Sequence, residues 1–366
     1  MKVLYIGGFQ LPDKNAAAQR VVNIAKAIRD LNFEVYFLNA VKDKIKSHWT
    51  SYFNFECFEY SKHNQIKYLT SINVIKKIIK EKHIDVVIAY NYPSIALSRL
   101  VHYCNMCQIQ IYGDVTEWYV ATGNIFFRLI KSFDSNYRMK VIHPKMDGLI
   151  VISEYLYKYY KNKVYTTKIP PTVDITDTKW YCQKKNNDVC TFVYAGQPNA
   201  QKERLDLIVE AIERVSNNLS LKLKVVGITK SQFEKLYKTR YCGENVLFYG
   251  RMSHIDTLDI IKKADWTIIV RDNNLVTMAG FPTKVVESIS CKTPVLANNF
   301  SNIQDYLTSA NSLIIDSISE INKAIIECVA NKNIINIDCS IFDYHNYIKE
   351  LDLFLHASHK YTNSKR

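Results

Sequence analysis

Val3-Leu4-Tyr5-Ile6-Gly7-Gly8 is four apolar residues stopped by two glycines, and a segment of helical period, 16–31, follows it. A run that short, ending in a loop, reads as a buried strand feeding a helix. The pattern then repeats. Residues 35–38 are a second strand; after a polar stretch come a helix near 72–82, a strand at 85–89 and a helix at 94–103. Strands at 108–112 and 148–152 complete the first half. Ile169-Pro170-Pro171 stops regular structure, because proline brings no N–H to a ladder and restricts the residue before it.

The stretch 174–188 is polar and has no clear period, and alternation resumes beyond it. Strands are expected at 191–195, 222–226, 246–248, 266–270 and 294–297, with helices at 204–215, 255–264, 284–291 and 318–330. A last helix falls at about 344–355, before a Ser/Lys-rich tail. Strands alternating with helices predict parallel sheets covered on both faces. Two successive units of similar size predict two doubly wound, Rossmann-like α/β domains facing one another across a cleft. The expected division is an N-terminal domain over 1–174, a linker over 175–188, a C-terminal domain over 189–341 and a final helix and tail over 342–366.

Composition agrees with a folded chain of that size. The 366 residues are 48% hydrophobic and 23% charged, enough for a large core in each of two domains. Nine cysteines, an odd number in a chain too large to need staples, predict reduced thiols and a cytoplasmic setting. No run approaches the ~18–20 apolar residues of a membrane span. The N-terminus resembles the start of a signal peptide only as far as Gly7-Gly8, with Asp13 and Lys14 close behind.

The net charge of +13 is uneven: residues 1–174 carry 24 Lys/Arg against 14 Asp/Glu, or +10, and the remainder carries +3. Lys76, Lys77, Lys80 and Lys82 share a helical segment with Ile72, Ile75, Ile78 and Ile79. That segment is either a surface for anionic lipid headgroups or an ordinary solvated helix face. No interleaving of basic and aromatic residues marks a nucleic-acid platform. There is also no G-x-G-x-x-G and no P-loop, which disfavours a nicotinamide dehydrogenase and an NTPase of that class.

The segment richest in chemistry runs from Arg271-Asp272-Asn273-Asn274 to Ala279-Gly280-Phe281-Pro282-Thr283-Lys284-Val285-Val286-Glu287 and Cys291-Lys292-Thr293-Pro294-Val295. It reads as a strand end, a loop, and a helix entered through Pro282 and Thr283. The free N–H groups of such a helix attract an anion, with Lys284 and Arg271 adding positive charge. Glu287, one turn on, can accept paired hydrogen bonds from ribose hydroxyls. This is a site for a nucleoside diphosphate that needs no metal.

These residues resemble the donor-binding signature of glycosyltransferase family 4, retaining enzymes of the GT-B fold, and most closely its polysaccharide-assembly members. The resemblance extends through Gly7-Gly8, Asp114-Val115-Thr116-Glu117-Trp118-Tyr119, Ile152-Ser153-Glu154-Tyr155-Leu156, Ile169-Pro170-Pro171, Ala195-Gly196…Lys202 and Tyr249-Gly250-Arg251. It implies a transfer from a nucleotide-diphosphate sugar to a hydroxyl of a glycan or lipid-linked acceptor, with no cofactor and no metal. By the same resemblance Lys202 contacts the diphosphate, Glu287 the ribose, and Gly250, Arg251 and Met252 the base. Gly8 and Gly196 line the donor loops, Gly7 and Asn15 the acceptor side, and the last helix packs back on the first domain. The first acid of the family's E-x7-E pattern falls on Ala279, and the arginine usual after the second-domain glycine is Gln197. Arg271 and Lys284 can supply the missing charge, and neighbouring backbone or Asn274 can hold the sugar.

Chemistry of this kind needs fixed positive charge on the leaving diphosphate, supplied here by Lys202, Arg271 and the helix N-terminus. Asp114 and Glu117 are the candidates to orient or activate the acceptor. Structural readings stand beside these. Lys284 and Glu287 could be a surface pair, Lys202 a loop cation, Arg271 a partner of Asp272, and Asp114 with Glu117 a capping box. Asn15 could be an N-cap and His254 a helix-start residue, and Trp118 and Tyr119 suit packing better than sugar stacking. Cys104 and Cys107 have no second pair to complete a zinc site and are expected to be buried thiols. A nucleotide-sugar 2-epimerase and a non-catalytic partner subunit are the alternatives to transfer.

Overall fold

In the computed structural model the apolar run at 3–6 is the middle of β1 (Lys2–Gly7), buried along almost its whole length. The structure describes all residues except 13–14, 121–123, 183–187, 200–201, 332–335 and 366, and the side chains of 126 and 358–365. The expected linker therefore lies partly outside the described residues, as do Asp13 and Lys14. The chain divides into two compact units, Met1–Val173 with Tyr344–Arg366, and Asp174–Asp343.

The first unit is built on β1, β2 (Glu34–Val41), β3 (His48–Tyr52), β4 (Phe55–Ser61), β5 (Val86–Tyr90), β6 (Gln110–Val115), β7 (Gly148–Val151) and β8 (Thr166–Lys168). They form one sheet in the order β3-β4-β2-β1-β5-β6-β7-β8, parallel throughout except for β3 against β4. Val3 pairs with Val35 on one side and Val86 on the other, so the centre of the sheet is valine and isoleucine facing both ways. Burying each such side chain contributes roughly 1.5–3 kcal/mol, which requires cover on both faces. The helices are α1 (Ala16–Asp30), α2 (Gln65–Thr70), α3 (Asn73–Lys82), α4 (Ser94–Met106), α5 (Ile125–Tyr137) and α6 (Glu154–Tyr160).

Three features of this unit differ from expectation. The polar stretch after 38 holds a hairpin, β3–β4, turning through Phe53 and Asn54 at φ 53° and 64°. Two consecutive positive φ values make the tight turn that Asn-Gly usually marks, and Phe-Asn carries no such signal. β6 begins two residues late and so contains Asp114. In α3, Ile75, Ile78 and Ile79 are buried, so the apolar stripe that one of the two readings gave to lipid is spent on the core.

The second unit contains β9 (Cys190–Ala195), α7 (Leu205–Ser216), β10 (Leu221–Val226), α8 (Lys230–Tyr237), β11 (Val246–Gly250), α9 (His254–Lys262) and β12 (Trp266–Ile269). It continues with α10 (Leu275–Ala279), α11 (Thr283–Ser290), β13 (Val295–Asn298), β14 (Ser312–Ile315) and α12 (Ile321–Ala330). Its six strands are all parallel in the order β11-β10-β9-β12-β13-β14. Phe192, Tyr194, Leu223, Val225, Trp266 and Ile268 form its core. Strand order reverses between β9 and β12, and in such sheets ligands bind beyond the carboxyl ends at that point.

The last helix, α13 (Ile348–Lys365), belongs to the first unit. Leu351, Phe354 and Leu355 enter that unit's core, and Phe354 stacks on Tyr165 at 5.2 Å between ring centres. Gly148 in β7 makes the room, since a Cβ there would lie 2.8 Å from the Phe354 ring.

Candidate functional site

At the carboxyl edge of the second sheet, three glycines hold the backbone in conformations that side chains resist. Gly196, Gly227 and Gly250 follow or end β9, β10 and β11 with φ of 117°, 106° and 69°. Gly227 packs so closely that a Cβ would lie 2.5 Å from the Gly196 carbonyl carbon. Its N–H donates to the Gly250 carbonyl at 2.6 Å, so the three loops form one connected floor. Gly227 escaped the sequence reading although it directly follows the strand expected at 222–226.

Beside this floor lies a buried ion cluster. Lys284 Nζ donates to Glu203 Oε1 at 2.6 Å and to the Tyr194 hydroxyl at 3.0 Å. Arg271 donates to the same Glu203 oxygen at 2.7 Å, and the Tyr194 hydroxyl donates to the other oxygen. All four residues are buried. Burial pushes the Glu203 carboxyl up, but Lys284 and Arg271 outweigh it and hold the group at about 2. Burial also pulls the Lys284 ammonium down, with Glu203 opposing.

The cluster is assembled by backbone. Glu203 and Arg271 bridge in antiparallel fashion, Asp272 N–H donates to the Lys202 carbonyl at 3.2 Å, and Asn298 clasps the Arg271 backbone from both sides. A Cβ at Gly196 would lie 2.8 Å from Lys284 Cε, so the first glycine loop rests on the lysine stem. Two cations on one carboxylate leave one net positive charge, and Arg271 Nε has no hydrogen-bond partner.

The sequence thus located Arg271 and Lys284 but not the acid between them. Arg271 pairs with Glu203, where sequence reasoning offered Asp272, and Lys284 points inward instead of forming a surface pair with Glu287. Glu203 follows Lys202 directly, and that adjacency was the one signal available. Lys202 itself is half-buried in the turn that delivers Glu203.

The remaining residues surround this cluster. Thr283 is half-buried at the first turn of α11, whose N-terminus no side chain caps. Glu287 is half-buried one turn later, and its Oε1 lies 3.2 Å from His254 Nε2. His254 starts α9, as one sequence reading had it, and also packs edge-on to Trp180. Gly250, exposed Arg251 and half-buried Met252 form the turn leading into that helix. Gln197 is exposed and Ala279 buried. Asn274 caps α10 by accepting the Thr277 N–H at 3.0 Å.

In the first unit Asp114 is fully buried. Arg20 Nε spans both carboxylate oxygens at 2.9 and 3.1 Å, Arg20 NH2 lies 2.7 Å from Oδ1, and the Tyr5 hydroxyl donates to Oδ2. Arg20 NH1 continues to the carbonyls of Ile169 and Pro170 at 2.9 and 3.1 Å. The capping box offered as the structural alternative for Asp114 and Glu117 does not form, because Asp114 is inside β6. Its carboxylate is occupied in joining β1, α1, β6 and the proline segment. Arg20 was missed; a charged residue among Ala18, Val21 and Ile24 was the signal.

Glu117, by contrast, is half-buried and lines a cavity of about 620 Å³ together with exposed Tyr119. Asn15 caps α1 by accepting the Ala18 N–H at 2.9 Å, which spends its side chain. The space above Gly7 is filled by Phe9, whose ring a Cβ would meet at 2.4 Å, whereas Gly8 faces the Lys62 ammonium. Trp118 is a packing residue, 5.0 Å from Tyr159. Cys104 is buried as expected, but Cys107 is exposed.

Residues 183–337, inside the second unit, match the family described as Glycosyl transferases group 1. No curated protein matches the chain in sequence. Among solved structures it is similar to a sucrose-phosphate synthase from Thermosynechococcus elongatus, at 13% identity and TM-score 0.72 over 97% of this chain and 98% of that one. It is similar also to HepE of Anabaena in complex with UDP and glucose, at 12% identity and TM-score 0.65 over 98% and 100%. A third is the lipopolysaccharide outer core galactosyltransferase WaaB, at 14% identity and TM-score 0.63 over 98% and 99%. The chain has the GT-B fold. The match within the second unit, together with these structural neighbours, supports a glycosyltransferase.

Proposed function

We propose that this protein is a retaining, metal-independent glycosyltransferase of surface-polysaccharide assembly. It moves a sugar from a nucleotide-diphosphate donor to a hydroxyl of a glycan or lipid-linked acceptor. The observation that carries the reading is the Glu203–Lys284–Arg271 cluster beside the glycine floor of the second unit. It offers backbone N–H groups, an uncapped helix N-terminus and one net positive charge at the switch point of a doubly wound parallel sheet.

The donor diphosphate rests on the Gly196 loop and the Thr283 turn, with Lys202 supplying a further cation. Glu287, oriented by His254, accepts from the ribose hydroxyls, and the Gly250–Met252 turn meets the base. That HepE is described with UDP and glucose supports a nucleoside-diphosphate sugar as donor. Fixed cations and N–H groups stabilise the departing diphosphate without reorganisation, which is why no metal is required. On the acceptor side Glu117 is the available carboxylate. Asp114 positions β6 beneath it and does not touch the acceptor.

Contact with an anionic membrane, if the acceptor is lipid-linked, falls to α5 and not α3. Ile125, Leu129, Ile130 and Phe133 of α5 are exposed on one arc of the helix, next to Arg128 and Lys131. Among the described residues no helix is long and apolar enough to cross a membrane.

The test is thermal stability against nucleoside diphosphates and their sugars, with and without chelator. A ligand at 100 times its Kd adds about 2.7 kcal/mol. A chelator-insensitive shift for one base is the expected result. A folded sample that responds to no nucleotide overturns the reading in favour of a non-catalytic subunit.

A further inference from the structure

The cavity beside Glu117 has a chemistry of its own. Its wall includes Lys42, Lys62, Tyr68, Lys131 and Arg138 as well as Glu117. Lys42 and Lys62 follow β2 and β4, and Glu117 follows β6, so the cavity opens at the carboxyl edge of the first sheet. Lys131 comes from α5, and Arg138 from a π-helical turn, Arg138–Ile142, that follows it. Such turns are rare and recur at functional sites.

Four cations here face two acids, Glu117 and Asp134. Asp134 is already committed, accepting the Ser94 N–H at 2.9 Å. Arg138 is 5% exposed, and its NH1 donates to the carbonyls of Asn91 and Tyr92 at 2.9 and 3.3 Å. Its Nε has no partner. Arg138 thus adds a charge fixed by its backbone partners to the cavity wall. Lys62 reaches over Gly8 towards the same space, and burial, with Lys42 adding to it, pulls its ammonium below the usual lysine range. Like charges held near one another in a cavity are stabilised by an anion between them.

We infer that this cavity binds a phosphate or diphosphate group carried by the acceptor. The inference rests on the glycosyltransferase reading and extends it to the substrate. Four cations against two acids leave an excess of two, which a phosphate or diphosphate matches and a single carboxylate does not. Glu117 shares the wall with these cations, so an acceptor anchored by its phosphate brings a neighbouring hydroxyl within reach of that carboxylate.

The experiment measures binding of inorganic pyrophosphate to the full chain at constant ionic strength, with saturating nucleoside diphosphate filling the second unit. The expected result is pyrophosphate binding that K62Q/K131Q weakens at least tenfold, with nucleotide affinity unchanged, and glucuronate binding much more weakly. Pyrophosphate binding that the double variant leaves intact, or that vanishes once nucleotide is bound, overturns the inference. Glucuronate binding as tightly as pyrophosphate overturns the phosphate assignment. Should no nucleotide bind, the donor reading fails by itself. Pyrophosphate binding to the wild-type chain and to K62Q/K131Q then still decides the cavity.

Discussion

Lys284 and Glu203 are 81 residues apart in the chain and 2.6 Å apart in the folded second unit, both buried. The bond ties the first turn of α11 to the turn after the first strand of that unit. Because Arg271 shares the same carboxylate oxygen, loss of the acid would strand two buried cations.

Glu203→Gln should therefore destabilise the protein by about 3–5 kcal/mol, measured by urea unfolding at pH 7. The wild-type pH dependence follows from the depressed carboxyl. Its folded value is about 2 against an ordinary 4.5. The stability it contributes is thus fully present above pH 4.5 and lost as pH falls towards 2. That loss should be on the order of 3 kcal/mol in the wild type and absent in Glu203→Gln. Identical acid profiles for the two proteins would show that the cluster is not ionised as described.

Glu287 and Lys284 should separate the two halves of the donor. Glu287→Gln is expected to weaken nucleoside diphosphate roughly tenfold, about 1.4 kcal/mol, and to leave inorganic pyrophosphate at the donor site unaffected. Lys284→Ala should weaken the diphosphate far more than the nucleoside, in addition to unfolding more readily. Calorimetric titration with nucleoside, nucleotide and pyrophosphate reads both, and equal losses across all ligands would remove the division of roles.

Asp114 and Glu117 carry the same functional group and should behave differently. Asp114→Asn breaks a fully buried pair with Arg20 and is expected to cost about 3–5 kcal/mol of stability. Glu117→Gln should leave the melting temperature unchanged and cut turnover by roughly 10²–10⁴ while sparing nucleotide affinity. Normal turnover in Glu117→Gln would exclude it as the acceptor carboxylate.

The exposed arc of α5 makes a prediction about surfaces. Replacing Leu129, Ile130 and Phe133 together with Ser should reduce partition onto vesicles containing anionic lipid without lowering thermal stability, because those side chains leave no cavity behind. Neutral vesicles should bind the wild type weakly. Equal partition of variant and wild type would place the membrane contact elsewhere.

Much of this fold could be read from the chain because a parallel strand buried on both faces leaves a mark, such as Val3–Ile6 or Trp266–Ile269, that needs no partner to interpret. The hairpin β3–β4 left none, since its strands are mixed in polarity and its turn is Phe53-Asn54. Helix α5 was hidden for the opposite reason: its apolar arc faces outward, so its period answers to no core. Lys284 and Glu287 could be singled out from local order, because they fall in the first turns of a helix opened by Pro282. Glu203 and Arg20 were not, because their meaning lies in partners 68 to 94 residues distant.

The seating of α13 on the first sheet has a consequence for synthesis. The second unit, Asp174–Asp343, is one uninterrupted stretch, whereas the first is assembled from both ends of the chain. Leu351, Phe354 and Leu355 emerge from the ribosome after everything else described in either core, and until they do, Tyr112 and Tyr165 lack their cover. Domains usually mature in the order they are translated. Here the domain begun first is completed last, and Tyr112 and Tyr165 must wait, exposed to chaperones, for the final helix to close over them.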